Sequence, residues 1–269
     1  MSEKIKEIVR QKYTEVVTQN TGSCYDTLCC SPTGDSPFKE SYDHLDGYEP
    51  DADFGLGCGI PTDTALIKKG QTVLDLGSGA GNDVFVARSM VGEKGKVIGV
   101  DMTTAMVEKA NVNKAKLGYE NVEFLLGEIE DLPLQNELID VAISNCVMNL
   151  VPDKNKAYQE VFRVLKKNGH FSISDVVLSG EMPEKIKNAA EMYAGCVSGA
   201  LLKSDYLSAI EKAGFSNMKI EKEREIYLPD EVLSNFLDEQ EITAFRKSGS
   251  KVLSITVVAE KPCCAPGCC

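Results

Sequence analysis

Two groups of residues in this chain have types and spacings that suggest chemistry. The first is the run Val73-Leu74-Asp75-Leu76-Gly77-Ser78-Gly79-Ala80-Gly81-Asn82-Asp83. Thr72 to Leu76 is apolar and β-rich apart from Asp75, as expected of a strand covered on both faces. Gly77, Gly79 and Gly81 then let the backbone turn sharply and approach a ligand closely. A helix starting there would aim its free N–H groups and positive dipole end at the turn. The spacing is G-x-G-x-G, not the G-x-G-x-x-G of a pyrophosphate cradle, and an acid stands two residues before the first glycine. An acid at that point suits a ligand with a positively charged part and no pyrophosphate. The alternative is a tight strand-to-helix turn that binds nothing.

The second group is the cysteines. The chain has ten: Cys24, Cys29, Cys30, Cys58, Cys146, Cys196, Cys263, Cys264, Cys268 and Cys269. No pair has C-x-x-C spacing, which argues against a zinc ribbon or a thioredoxin-type motif. The pairs 29/30, 263/264 and 268/269 are vicinal. Adjacent thiols suit a soft, thiophilic ion better than a structural tetrahedral zinc site. Cys58 sits in Gly55-Leu56-Gly57-Cys58-Gly59-Ile60-Pro61, where three glycines around one thiol indicate backbone held in an unusual conformation. Cys146 follows an apolar run and falls at the tip of a strand, where a ligand would approach; a thiol presented to it and a simply buried thiol are equally open there. A general base is hard to find among the two histidines. His170 falls near the start of a strand, and His44 in an acidic loop, although carboxylates could serve.

These residues need elements to position them. At 269 residues, with 43% hydrophobic and 26% charged side chains, there is ample chain for a core. Net charge is −12, which disfavours a nucleic-acid or anionic-membrane partner. The first residues read as an amphipathic helix with Ile5, Ile8, Val9, Tyr13 and Val16 on one face, stopped near Thr21-Gly22. No signal-peptide region or stretch of transmembrane length is seen, so a cytoplasmic protein with mostly reduced thiols, and a monomer, is expected. Residues 23–60 read as irregular, with seven acids and one base from Asp35 to Asp53.

After a short helix over Thr64 to Lys69, strands and helices alternate. Helices are predicted at Asp83 to Met90, Thr103 to Leu117, Lys154 to Leu165 and Ser204 to Ala213. Strands after the first are predicted at Gly95 to Val100, Asn121 to Leu126, Ile139 to Ser144, Gly169 to Val177, Met218 to Leu228 and Lys251 to Glu260. Such alternation predicts an α/β fold, a doubly wound sheet of five parallel strands plus a C-terminal strand pair. Ligands on such sheets bind at the carboxyl ends of the strands, where Gly77, Asp101, Glu128 and Cys146 fall. Ser179 to Leu202, which carries Cys196, and Pro229 to Ser250, with a helix after Pro229, lie outside the minimal fold. The expected organisation is an N-terminal segment 1–60, a cofactor-binding domain 61–178, a C-terminal part 179–260 completing the sheet, and a flexible tail 261–269.

The stretch at 73–83 resembles motif I of the class I S-adenosylmethionine-dependent methyltransferases. That resemblance implies that Asp75, Gly77, Ser78, Gly79 and Gly81 hold the methionine end of the cofactor. Asp101 would hold the ribose, Met102 would pack on the adenine, Gly127, Glu128 and Ile129 would meet its edge, and Asn145 would join the site. Cys58, Cys146 and Cys196, from separate segments, could converge over the methyl group, and three thiolates are a natural shell for trivalent arsenic. The motifs around them carry a closer resemblance. Gly55-Leu56-Gly57-Cys58-Gly59, Ser144-Asn145-Cys146-Val147-Met148-Asn149-Leu150 and Met192-Tyr193-Ala194-Gly195-Cys196-Val197-Ser198-Gly199-Ala200 look like those of the arsenite S-adenosylmethionine methyltransferases over essentially the full chain. The resemblance implies that Cys58, Cys146 and Cys196 bind As(III), delivered as arsenite or its thiol conjugates. It also implies that an N-terminal cysteine (Cys30, with Cys29 and Cys24 open) pairs with Cys58 during turnover. Reducing thiols such as glutathione or thioredoxin would then restore it. Methylation of a small organic acceptor such as a quinone precursor, and non-catalytic soft-metal binding, are the competing expectations.

Overall fold

In the computed structural model, residues 2–18, 40–187 and 199–263 are described. Cys24, Cys29, Cys30, Cys196, Cys264, Cys268 and Cys269 lie outside them. Helix α1 is Ser2–Thr18. The alternating part then runs β1 (Thr72–Leu76), α2 (Asn82–Val91), β2 (Lys96–Asp101), α3 (Thr104–Leu117), β3 (Val122–Leu126), β4 (Ile139–Asn145), α4 (Lys154–Val164) and β5 (Leu165–Leu178). It continues with α5 (Glu184–Lys187), α6 (Lys203–Lys212), β6 (Ser216–Ile226), α7 (Asp230–Leu233), α8 (Glu239–Ser248) and β7 (Val252–Glu260).

The strands form one seven-stranded sheet in the order β3-β2-β1-β4-β5-β7-β6. The pairs from β3 through β5 are parallel, and β7 runs antiparallel to both β5 and β6. Central strands are apolar throughout because both faces are covered: Val73, Leu74 and Leu76 of β1 are fully buried. One core packs α4 and α6 on the sheet through Tyr158, Tyr206 and Phe171; the other packs α2 and α3 through Phe85, Val84 and Met106. The order reverses between β1 and β4, the point at which such sheets open a crevice at the carboxyl ends. Among the described residues, no helix is long and apolar enough to cross a membrane.

The expected helix over Thr64 to Lys69 is not there. A single 3-10 turn, Pro61–Asp63, is followed by irregular backbone with Leu66 at φ 47°. The reason lies in β5. The Thr64 hydroxyl bonds Ser172 Oγ at 2.8 Å, and the His170 ring contacts the Ala65 carbonyl at 2.6 Å, so the segment is tied to a strand. β5 itself is longer than the expected Gly169 to Val177. Leu165 pairs with Ile139 before a register shift in β4 restores regular pairing. Between β6 and β7 there are two helices, not one. The second starts with a reciprocal capping box between Asp238 and Glu241, a D-x-x-E signal present in the sequence.

Candidate active site

A cavity of about 1170 Å³, including its open mouth, lies over the carboxyl ends of the strands. Its wall includes Gly77, Asp101, Glu128 and Cys146 from four successive strand ends, and Val9 and Tyr13 from α1. The glycine turn has left-handed backbone at Gly77 (φ 68°), Gly79 (φ 50°) and Gly81 (φ 102°). At Gly77 a Cβ would also lie 2.5 Å from the Val147 side chain, so only glycine fits. Asp101 braces this turn, accepting the Gly79 N–H at 2.9 Å on one oxygen and the Thr103 N–H at 2.8 Å on the other. Met102 and Ile129 line the same cavity, and the Gly127 N–H donates to the Asp101 carbonyl at 3.0 Å. Glu128 is engaged by α1: Lys6 Nζ and Arg10 donate to its two oxygens, each at 2.6 Å. Lys6 is itself buried and also pairs with Glu130. Helix α1 is thus latched across the Glu128 side of the wall.

The cavity wall is anionic. Asp75 and Asp83 are buried, and Asp101 is partly exposed to the cavity. Burial pushes the Asp75 carboxyl well above its ordinary value, with Asp83 and Asp101 adding to it. Burial raises Asp83 to about 6, against hydrogen bonds from Tyr42 and Asn145 that lower it, and burial raises Asp101 too. Among the described residues, no lysine or arginine forms an ion pair with any of the three. A group of carboxylates taken out of water without a cation calls for a positively charged ligand. The sulfonium and ammonium groups of S-adenosylmethionine meet that need, and the turn of left-handed glycines leaves room for its chain.

Cys58 is fully buried and is held by contacts far from it in sequence. Its N–H donates to Asn145 Oδ1 at 3.0 Å, and its carbonyl accepts from Ser254 Oγ at 2.6 Å. The same Asn145 shares its amide hydrogens among Tyr42 Oη (2.8 Å), the Gly59 carbonyl (2.8 Å) and Asp83 Oδ2 (3.2 Å). The Tyr42 hydroxyl in turn donates to Asp83 Oδ1 at 2.8 Å. The flanking glycines are there for closeness. A Cβ on Gly57 would come within 2.5 Å of Asn145 Nδ2, and one on Gly59 within 2.7 Å of Ser174 Oγ. Cys146 follows the end of β4 with φ 61°, a left-handed conformation uncommon outside glycine, and its N–H donates to the Ser174 carbonyl at 2.8 Å. That turn directs the chain away from β5 and leaves Asp175 beyond the last β4 pairing. The Cys58 and Cys146 sulfurs and a carboxylate oxygen of Asp175 all lie within 4.8 Å of one another, and all three residues are buried.

Comparison with known proteins agrees with this geometry. Residues 67–214 match the model of a methyltransferase domain family. The arsenite methyltransferase of Halobacterium salinarum is 38% identical over 276 aligned positions, which cover 97% of this chain and 67% of that protein. The chain belongs to the arsenite methyltransferase family. The mouse (Mus musculus) arsenite methyltransferase is 45% identical over 59% of this chain and 44% of its own length. Among solved structures, an arsenic(III) S-adenosylmethionine methyltransferase from Chlamydomonas reinhardtii is 36% identical with a TM-score of 0.64 over 78% of this chain and 68% of that one. The expected doubly wound sheet with an antiparallel C-terminal pair is the observed fold, and the cofactor of this arsenite methyltransferase family member is S-adenosylmethionine.

Of the expected site residues, Asp75, Gly77, Ser78, Gly79, Asp101, Met102, Gly127, Glu128, Ile129 and Asn145 all line the cavity, as does Cys146. Gly81 stands behind the wall as the residue preceding α2, packed against Phe85 and Phe124. Cys58 lies beneath the floor, and Cys196 and Cys30 fall outside the described residues. The amide of Asn145, expected at the cofactor, is directed to the Cys58 loop. Sequence reasoning missed Tyr42, Asp83, Asp175 and the Lys6/Arg10 latch. Asp175 had a signal, a lone carboxylate within the apolar strand Phe171 to Leu178. Tyr42 had none, since one aromatic in an acidic loop has no period.

Proposed function

We propose that this chain transfers a methyl group from S-adenosylmethionine to trivalent arsenic held by the thiolates of Cys58, Cys146 and Cys196. One observation carries this reading: Cys58 and Cys146, from different parts of the chain, bring their sulfurs within 4.8 Å of each other, and Cys146 lines the cavity. Cys146 faces the cavity, where the donor's methyl would lie. The resemblance around Cys196 supports it as the third thiol.

When bound, S-adenosylmethionine supplies an electrophilic methyl on a sulfonium. The chain's own residues do the rest. Asp75 and its neighbours draw in the positive charge, and Asp101 with the glycine turn fixes the register of the cofactor chain. The thiols of Cys58, Cys146 and Cys196 displace the oxygen or thiol ligands of arsenite, and each thiol proton leaves with a displaced ligand. The arsenic lone pair is then aimed at the methyl group, so the acceptor has no proton to lose and no general base is required. Orientation and proximity are the protein's main contributions. Transfer raises arsenic to a formally pentavalent state. A cysteine near the N-terminus (Cys30, or Cys29 or Cys24) forming a disulfide with Cys58 would return two electrons. External thiols such as glutathione or thioredoxin would then reset the pair.

The test is incubation of the protein with arsenite, S-adenosylmethionine and a reducing thiol, followed by separation of arsenic species. Methylated arsenic with equimolar S-adenosylhomocysteine is expected. Absence of methylated arsenic from active, cofactor-binding protein contradicts the reading. Full activity of Cys146→Ser, with an essential carboxylate instead, would replace it with an organic acceptor.

A further inference from the structure

Asp175 has no part in the arsenic reading, yet it is the third member of the buried cluster. It is fully buried in the middle of the sheet. Val176 N–H donates to one oxygen at 2.9 Å, the Tyr206 hydroxyl donates to the other at 3.3 Å, and the Asn149 backbone N–H also donates to the carboxylate. A carboxylate has about four acceptor positions, so these bonds leave capacity toward the thiols. Lys154 is the cation whose charge acts on it. The same strand position filled by an apolar residue would join Phe171, Ile173 and Val177 in the core, so a carboxylate there calls for another explanation.

We propose that Cys58, Cys146 and Asp175 form a mixed thiolate–carboxylate site for a borderline-to-soft divalent cation, zinc or cadmium, that excludes arsenic from the same thiols. The donor set is chemically suited to this. Two sulfurs and one oxygen with an open fourth position are an ordinary shell for zinc. Sulfurs around a tetrahedral zinc lie about 3.8 Å apart, given bond lengths of about 2.3 Å. Donors within 4.8 Å of one another therefore reach that geometry with side-chain movements of about 1 Å or less. Cys146 lines the cavity, so the fourth position faces an opening through which water and the cation can enter.

Ligand softness separates the two occupants. Trivalent arsenic favours a third thiolate over a hard carboxylate oxygen, and so recruits Cys196. A zinc or cadmium ion accepts the oxygen and needs no third thiol. The two ligand sets share two sulfurs and differ in the third donor. The cation therefore competes with arsenite and not with S-adenosylmethionine. The inference goes beyond the arsenic reading and does not rest on it, since Cys196 belongs to one set only.

The experiment uses the reduced full-length chain with Cys263, Cys264, Cys268 and Cys269 changed to serine, titrated with cadmium. Thiolate-to-cadmium charge-transfer absorption is the signal. Asp175→Asn keeps the shape and the bond from Val176 N–H, and the Tyr206 hydroxyl can turn to accept from the new amide. It should weaken one cadmium site by more than the about 10-fold that losing an outer-shell partner costs. Cys196→Ser should leave that site unchanged while weakening arsenite binding. Unchanged cadmium affinity in Asp175→Asn, or equal loss in Cys196→Ser, overturns the proposal. A measurement that needs no substitution in the cluster is the cadmium-113 NMR shift of the bound ion. A shift for mixed sulfur and oxygen ligation is expected, and a shift for three or four sulfurs contradicts it.

Discussion

The cofactor wall and the thiol floor are built in different ways. The wall is local. Asp75, the glycine turn and Asp101 are the tips of neighbouring parallel strands, and their bonds run over short stretches, such as Gly79 N–H to Asp101 at a separation of 22 residues. The floor is assembled from afar. Cys58 is fixed by Asn145 across 87 residues and by Ser254 across 196. The wall follows from strand order, whereas the floor depends on a loop that must dock correctly on β4, β5 and β7. The donor half of the site should therefore tolerate damage to the acceptor half better than the acceptor half tolerates loosening of its loop.

Substitutions that separate the halves give the largest expected effect. Cys58→Ser or Cys146→Ser should lower arsenite methylation by about 100-fold or more, since the reactant is no longer held in line. Affinity for S-adenosylmethionine, followed by calorimetry, should change by less than about twofold because serine keeps the backbone bonds of Cys58 to Asn145 and of Cys146 to Ser174. A matching loss of cofactor affinity would break the division. From the other side, Asp101→Ala removes a charged acceptor. It should weaken cofactor binding by about 10- to 100-fold, as expected of a hydrogen bond to a charged group. Arsenite binding should be retained. Retained cofactor affinity would remove Asp101 from the wall.

Loosening the loop comes next. Gly59→Ala places a Cβ 2.7 Å from Ser174 Oγ, and Gly57→Ala places one 2.5 Å from Asn145 Nδ2. Overpacking of this kind costs about 1–3 kcal/mol, read as a lower unfolding midpoint. The KM for arsenite should rise while cofactor affinity holds; unchanged arsenite kinetics would show that the loop need not be fixed.

A smaller effect concerns pH. Asp83 is raised by burial to about 6, and a cationic ligand favours its ionised form. Cofactor affinity should therefore fall as pH drops below about 6, with protons released on binding in that range. Calorimetry in buffers of different ionisation heat measures that release. Proton uptake would contradict the anionic-wall account. The same shift has the opposite sign for the free protein. Its folded pKa lies above the unfolded carboxylate value, so the associated stability is present below the unfolded pKa and is lost as pH rises through about 6. The smallest effect is expected for Cys263→Ser with Cys264→Ser, which should leave methylation within about twofold, since Cys263 is exposed and the cavity lining does not include it.

How much could be read from the sequence follows the same division. The strand tips were legible because an acid or glycine ending an apolar run has a local signature, and Gly77, Asp101 and Glu128 all reached the cavity. The glycines around Cys58 were legible as a constrained loop. Their reason, close approach to Asn145 and Ser174, depends on tertiary contacts with no local sequence signature. The missing helix at Thr64 to Lys69 has the same cause, since its polar groups are taken by Ser172 and His170 of β5. Lys6 lies outside the apolar set Ile5, Ile8, Val9, Tyr13 and Val16 of its helix. It is buried because Glu128 and Glu130 meet it across the fold. Asp175 was visible in the sequence, a carboxylate in a strand that otherwise has no use for one.

The most direct test of the three-thiol site is X-ray absorption at the arsenic edge on reduced protein loaded with one equivalent of arsenite, in the background with Cys263, Cys264, Cys268 and Cys269 changed to serine. The account predicts a shell of sulfur only, with three neighbours, that loses one sulfur and gains an oxygen in Cys196→Ser and again in Cys146→Ser. An unchanged shell in either variant would place the arsenic elsewhere and contradict the account.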